Sequence, residues 1–263
     1  MVETALLNWT LSHFLNLIII LTRVGPLIFF MPVTGSRSVP VQIKVLLSLM
    51  TALVLVPVIN IAPADIPTSG IGFFVLVGKE ILLSAILSLF ARMVFAALET
   101  AGQMISIQMG MGMAGTMDPQ FGTQVSLVGY FWNIFAILLF LSINGHHIFF
   151  KTLVESFAWI KPGGLHLTTA TYTGIMQGAS HMFLLAIKIM APAGAALFFS
   201  HVAMGILAKT VPQIPILIVG LPLNIAIGLI FAGLSLSYMM PLLIQNFDML
   251  GRLLPKLVIG MGG

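Results

Sequence analysis

Gln103-Met-Ile-Ser-Ile-Gln-Met-Gly-Met-Gly-Met-Ala-Gly-Thr-Met-Asp-Pro-Gln-Phe-Gly-Thr-Gln124 is the least lipid-like stretch of a chain that otherwise reads as membrane helices. Met104, Met109, Met111, Met113 and Met117 alternate with Gly110, Gly112 and Gly115, and the run stops at Asp118-Pro119. Each glycine costs a helix about 1 kcal/mol relative to alanine, so the segment is a poor helix. Methionine, with its rotatable bonds and polarizable thioether, fills an irregular gap and then moves aside. Long apolar segments lie on both sides, and their reading decides the fold.

Upstream, residues 71–109 form one apolar run. A straight helix over it rises about 58 Å, against a hydrocarbon core of about 30 Å. It also carries Lys79, Glu80, Arg92 and Glu99. Each charge costs roughly 2.5–3.5 kcal/mol at a helix centre, against about −0.3 to −0.6 for each Leu, Ile, Phe or Val, so the sums roughly cancel. These charges are therefore expected to face protein or water. Arg92 and Glu99 fall on one helical face, which predicts an ion pair that fixes packing.

Downstream, residues 127–143 are a clean apolar run, barely long enough to span, ending at the turn signature Asn144-Gly145-His146-His147. Adjacent histidines point about 100° apart on a helix, and neither a His-Glu-x-x-His spacing nor a carboxylate cluster accompanies them, so the pair reads as a polar turn. Residues 148–160 continue as a short amphipathic piece with Lys151 and Glu155 at i,i+4, and Lys161-Pro-Gly-Gly164 breaks it.

The outer parts follow the same logic. Residues 14–31 are apolar except for Arg23, with a kink expected at Gly25-Pro26. A turn-rich linker, 32–40, leads to a second helix from Val41 to about Ile61, making a hairpin. Residues 173–207 form a long segment kinkable at Pro192 and Gly194, with His181, Lys188 and His201 on it. Gly178-Ala-Ser-His181 lacks the base and second glycine of a nucleophile turn. Between Lys209 and Pro222 the prolines 212, 215 and 222 argue against a continuous helix, and the last span, 223–238, is expected to end near Pro241.

Composition agrees. The 263 residues are 59% hydrophobic and 7% charged, with a mean hydropathy of +1.12, whereas soluble domains carry about 25% charged residues. This is an all-α, membrane-associated chain. The net charge of +4 comes from a handful of Lys and Arg, which excludes a nucleic-acid footprint. With no cysteine there is no disulfide framework or thiolate metal site. No convergent catalytic set is visible, so neither an enzyme nor a cofactor site is expected. Glu3 and the absence of a basic residue before the first apolar run argue that this run is retained. The positive-inside rule gives a conflict: Arg37 and Lys44 favour an outside N-terminus, which puts Lys151, Lys161, Arg252 and Lys256 outside as well. A simple serpentine in lipid does not fit.

Leu21-Thr-Arg23-Val-Gly-Pro26 with Ser36-Arg37-Ser-Val-Pro40, Gly112-Met113 with Asp118-Pro119, Leu139-Phe-Leu-Ser-Ile-Asn144-Gly145-His146, and Pro212-Gln213 with Val219-Gly220-Leu-Pro222 occur in this order. Together they resemble the FliR family across essentially the whole chain. FliR proteins are integral parts of the flagellar type III export gate, similar to the T subunits of virulence injectisomes. The resemblance implies about six long, hydrophobic, kinked helices within a helical hetero-oligomer of FliP-like and FliQ-like subunits. Residues 1–170 would be FliP-like helical hairpins, and 171–263 a FliQ-like hairpin with a C-terminal tail.

The family's pore plug maps onto residues 110–122, with Met109, Gly110, Met111, Gly112, Met113, Gly115, Met117, Asp118, Pro119 and Phe121 as plug residues. Lys79, Glu80, Arg92 and Glu99 would be buried charges facing other subunits. Lys209, Pro212, Gln213, Pro215, Gly220 and Pro222 would form a loop facing an FlhB-like switch protein, with an FlhA-like export protein nearby. Unfolded export substrates would pass the gate in the bacterial inner membrane at the base of the flagellum. An apolar constriction of this kind closes by dewetting, without a charged gate. Two departures from the family stand out: aromatic residues before Asp-Pro are replaced by Met and Gly, and a proline after the plug is replaced around Val125-Ser126. The alternatives are a virulence injectisome subunit, or an ion or small-molecule transporter. Broken helices and intramembrane charges suit a transporter, but it should show two matched halves, and none is found.

Overall fold

Apolar periodicity outweighs proline in setting the helices. The computed structural model describes residues 2–36, 38–59, 61–62, 66–67, 69–111, 126–213 and 215–262, with side chains from residue 13 onward except 216 and 217. Among the described residues stand α1 (Val2–Phe30), α2 (Val41–Leu55), α3 (Gly70–Gln108), α4 (Leu127–Ser142), α5 (Gly145–Trp159), α6 (Thr169–Thr210) and α7 (Ile216–Met261), and no strand. Four of them, α1, α3, α6 and α7, are long and apolar enough to cross a membrane, and α4 with α5 adds a broken candidate. With 39, 42 and 46 residues, α3, α6 and α7 rise about 58, 63 and 69 Å, roughly twice a hydrocarbon core.

Two boundaries differ from expectation. Helix α2 stops at Leu55, although Val56 keeps helical angles of −50° and −47°: Pro57 has no N–H with which to continue the ladder. Helix α7, expected to end near Pro241, runs through Pro222, Pro241 and Pro255 to Met261. Proline in a helix interior costs about 3 kcal/mol. Against it stands a buried stripe: Met239, Leu243, Phe247, Leu250, Leu254, Val258 and Met261. Burying such a side chain is worth about 1.5–3 kcal/mol, so seven of them outweigh the prolines.

The chain divides into two compact units that do not follow its order, residues 1–93, 144–178 and 248–263 forming the first and 94–143 with 179–247 the second. In the first, α1 packs against α2, which turns Lys44, Ser48 and Ala52 inward and leaves its large apolar side chains exposed. The Lys44 ammonium is satisfied by the Ser36 carbonyl at 2.9 Å. Helix α5 and the end of α7 run parallel: Gly251 sits against Ile148, and Gly262 against Trp159 and Ile160. The segment after α5 fastens that end, His166 N–H donating to the Met261 carbonyl at 2.9 Å.

The second unit is built on an aromatic cluster of Phe95, Phe140 and Phe247, with ring centroids 5.1–5.8 Å apart. Its parts of α6 and α7 are held by polar pairs between apolar faces: Ser200 donates to Asn224 at 2.6 Å, and His181 meets Asn246 Oδ1 at 2.6 Å. Asn246 Nδ2 donates to the Leu242 carbonyl at 2.7 Å, so His181 Nε2 is the donor in that pair.

Candidate functional site

The Met/Gly stretch leaves α3 through a helix stop built by Gly110. Gly110 takes φ +79°, its N–H donates to the Ile107 carbonyl at 3.0 Å, and the Met111 N–H reaches back to the Ser106 carbonyl at 3.1 Å. These are the two bonds of a Schellman cap, with glycine at the left-handed position. Leu221 of α7 lies where a Cβ on Gly110 would project. Met109 is fully buried and packs onto Gly228 of α7, whose missing side chain makes the space. Met109 therefore anchors the segment, and Met111 is half-buried at its mouth. Gly112, Met113, Gly115, Met117, Asp118, Pro119 and Phe121 lie outside the described residues.

The stretch returns at Ser126, which caps α4. Its Oγ accepts from the Gly129 N–H at 2.9 Å and donates to the Gly102 carbonyl of α3 at 2.9 Å. The Ser106 hydroxyl is 2.6 Å away and completes the set as a donor to Ser126. One donor and two acceptor positions exhaust the hydroxyl. At the same level α3 and α4 cross backbone to backbone, because a Cβ on Gly102 would fall on Gly129. Residue 111 and residue 126 are thus both tied to one turn of α3. Ser126 stands where the family pattern suggested a proline, and its signature was readable: a serine directly before an apolar run is an N-cap.

The charges of α3 divide. Glu80 is buried and paired within the chain to Arg23 of α1, itself fully buried. Arg23 also donates to Ser156 at 3.1 Å and, through both terminal nitrogens, to the Ile160 carbonyl that ends α5. Its guanidinium lies 4.0 Å from the centre of the Phe157 ring, and its own carbonyl accepts from Ser84. The remaining Glu80 oxygen accepts from the Gly163 N–H at 2.9 Å, while Lys79 donates to the Gly163 carbonyl at 3.0 Å. Adjacent residues of α3 thus grip both sides of Gly163, which sits at φ +73°. In the sequence Arg23 reads as an interruption of the first apolar run and as part of the family motif, with no partner assigned.

Arg92 and Glu99 are exposed. The expected Arg92–Glu99 pair is replaced: Arg92 Nε donates to the Phe30 carbonyl at 2.7 Å, and the salt bridges among the described residues are Arg23–Glu80 and the exposed Lys151–Glu155, at 3.9 Å. Seven residues are about 10.5 Å along a helix, whereas the last carbonyl of α1 lies within direct reach. The Pro-rich loop is shorter than expected. The break covers 211–215, with Lys209 at the end of α6 and Gly220 and Pro222 inside α7. Pro222 is the seventh residue of α7, past the four donors that lack an intrahelical acceptor, so it removes one helical bond there. Pro212, Gln213 and Pro215 are exposed. His146 and His147 stack edge to face in the first turn of α5, after Asn144 at φ 56°. Among the described residues no group of three His, Asp or Glu could hold a metal.

Compared with known proteins, residues 14–250 match the family of bacterial export proteins, family 1. The chain is 32% identical over 237 residues to the flagellar biosynthetic protein FliR of Bacillus subtilis, covering 88% of this chain and 90% of that one. The chain belongs to the FliR family. It is also 27% identical over 252 residues to FliR of Escherichia coli, covering 96% and 94% of the two chains. FliR of Aquifex aeolicus is 29% identical over 234 residues, covering 89% and 87%. The chain is accordingly a bacterial export protein, and its apolar helices place it in a membrane.

Proposed function

We propose that this FliR-family chain is a structural and gating subunit of the flagellar type III export gate, in the bacterial inner membrane at the base of the flagellum. It assembles with FliP-like and FliQ-like subunits, residues 1–170 serving as a FliP-like part and 171–263 as a FliQ-like hairpin. An FlhB-like switch protein meets the Pro212–Pro215 break, and an FlhA-like protein lies nearby. Residues 110–122 act as a plug, through which unfolded flagellar proteins pass once it is displaced. The role is conformational, without catalysis or cofactor.

The observation that carries this reading is that the chain on either side of the Met/Gly-rich stretch is tied to one turn of α3, Met111 N–H to the Ser106 carbonyl and Ser126 to Ser106 and Gly102. Support for assembly comes from α6 and α7, of whose most membrane-like windows only 33% and 28% is buried in the chain. Similarity to flagellar relatives favours the flagellar over the virulence system. The test replaces 112–125 with a short Gly-Ser linker in the co-assembled complex and measures ion conductance. We expect a large leak with assembly retained; wild-type conductance in an intact complex would remove the plug assignment.

A further inference from the structure

We infer that the middle of α6 carries a headgroup site for phosphatidylglycerol, an anionic phospholipid with hydroxyls on its headgroup. Lys188 is its charged contact, and Tyr238 of α7 stands at the same level. The inference goes beyond the export-gate reading and does not rest on the plug. Helices α6 and α7 are each roughly twice as long as a hydrocarbon core, so about half of either lies in one, and composition says which half. On α6 the Lys, Arg, Asp and Glu residues are Lys188 and Lys209 alone. The twenty residues between them, 189–208, rise about 30 Å, one core thickness. On α7 no such residue occurs before Asp248, Arg252 and Lys256. The pairs Ser200–Asn224 and His181–Asn246 run in opposite order, so the two helices are antiparallel and Lys188 falls level with about residues 236–239. Tyr238, in that range, is 50% exposed.

From this level to the break at 211–215 both helices present large apolar side chains outward, among them Phe198, Phe199 and Ile206 of α6 and Leu223, Ile230 and Leu234 of α7. A lysine and a tyrosine at the end of such a surface have the composition of a membrane–water boundary. The lysine stem lies along the apolar face while its ammonium reaches the headgroups, and the tyrosine ring sits at headgroup level. Two groups of Lys188 need partners there. Its side chain is exposed, and the salt bridges among the described residues, Arg23–Glu80 and Lys151–Glu155, leave it without a carboxylate. Its carbonyl lacks its helical donor, because Pro192, four residues on, has no N–H. An ammonium and a phenol hydroxyl donate to phosphate oxygens, and the carbonyl accepts from a headgroup hydroxyl. Phosphatidylglycerol supplies a net negative phosphodiester and such hydroxyls, whereas phosphatidylcholine supplies neither net charge nor a donor. Ala191 and Ala195, exposed on the face of Lys188 one and two turns into the apolar run, leave room for an acyl chain. A carboxylate on a neighbouring helix would satisfy the ammonium alone, and the boundary composition of both helices favours lipid.

The test uses the co-assembled complex in detergent, with phosphatidylglycerol or phosphatidylcholine added back. Native mass spectrometry reads the lipid retained, and thermal unfolding reads the stabilisation. We expect the wild type to retain severalfold more phosphatidylglycerol than Lys188→Gln at matched lipid concentration, and to melt higher with phosphatidylglycerol than with phosphatidylcholine. Lys188→Arg, which keeps the charge, should keep both effects, and Tyr238→Phe should retain severalfold less lipid than wild type. Equal retention by wild type and Lys188→Gln would overturn the inference, as would equal stabilisation of the wild type by the two lipids. Unchanged retention in Tyr238→Phe would remove Tyr238 from the site. If Lys188→Gln fails to assemble whichever lipid is present while Lys188→Arg assembles, Lys188 meets a carboxylate of a neighbouring subunit. That result overturns the lipid assignment and leaves the export-gate reading standing.

Discussion

Substituting Glu80 probes the centre of the first unit. Glu80→Gln keeps the shape and leaves an oxygen for the Gly163 N–H, but it removes the countercharge of Arg23, which is 0% exposed. Removing one partner of a buried ion pair costs about 3–5 kcal/mol, because the other charge stays buried and unpaired. The Phe157 ring, 4.0 Å from the guanidinium, returns about 1–2 kcal/mol by cation–π attraction, already present in the wild type and able to strengthen only in part. The Ile160 carbonyl and Ser156 hydroxyl still accept from Arg23, so a cost of about 3 kcal/mol, at the low end, is expected. Glu80→Ala adds an orphaned Gly163 N–H, worth about 1–3 kcal/mol. Together these approach the whole stability of an ordinary domain, about 5–15 kcal/mol. The assay is thermal unfolding of the purified co-assembled complex in detergent, with the amount of assembled chain as a second readout. The order expected is wild type, then Glu80→Gln, then Glu80→Ala. The pair Arg23→Met/Glu80→Leu should lose less than the sum of its single changes, since both charges leave together. Wild-type melting and abundance for Glu80→Gln would refute the reasoning.

Further outcomes follow from single contacts. Lys79→Ala, which removes one bond from a half-buried side chain to the Gly163 carbonyl, should cost only about 1 kcal/mol in the same melt. Gly102→Ala must push α3 off Gly129 and should sharply reduce assembled complex on a native gel, whereas Gly78→Ala on the same helix meets nothing within 4 Å and should be neutral or stabilise by up to about 1 kcal/mol. Gly110→Ala combines a positive φ with Leu221 in the way; a cost of about 1–2 kcal/mol or more and a raised ion leak are expected, read by melting and conductance. Photo-crosslinkers at Pro212 and Pro215, exposed in the break between α6 and α7, should capture an FlhB-like protein, and capture of neighbouring subunits alone would remove that assignment.

The helices were legible where one signal dominated. The run that became α3 and the apolar segment that became α4 match their expected bounds within a residue or two, because no proline interrupts either. The end of α7 was missed because proline was weighed locally while the stripe from Met239 to Met261 was not counted. Its spacing of four, four and three residues, repeated, is an 11-residue period of 3.67 per turn, and it was present in the sequence throughout. At the candidate site, the stop at Gly110 was foreshadowed by the Met/Gly composition. Its partners were not: Ser106 and Ser126 are twenty residues apart, and only the fold brings their hydroxyls together. Glu80 is expected from the sequence to face protein or water, and within this chain it is buried against Arg23. That its partner is Arg23, 57 residues earlier, follows from tertiary packing that no local pattern encodes.

The charge conflict has a physical resolution in the first unit. Arg23 donates to the carbonyl that ends α5, Arg92 to the last carbonyl of α1, Lys44 to the Ser36 carbonyl in the turn after α1, and Lys79 to the Gly163 carbonyl in the turn after α5. A helix leaves its last four carbonyls without intrahelical donors, and its C-terminal end carries partial negative charge that a cation complements. In an apolar setting those carbonyls need donors as much as the cations need acceptors. Counting Lys44 as a marker of a membrane face therefore treats a buried charge, bonded to a turn carbonyl, as a surface charge, and the positive-inside comparison loses one of the two residues that set it. The same accounting explains how so apolar a chain accommodates charges along an overlong helix: Arg92 completes the end of α1, Lys79 bonds the turn after α5, Glu80 closes the pair with Arg23, and Glu99 is left outward. If this is their role, Arg92→Lys, which keeps a donor for Phe30, should melt closer to wild type than Arg92→Leu, which keeps the apolar stem alone. Equal melting of the two variants would show that the Phe30 carbonyl is satisfied without Arg92.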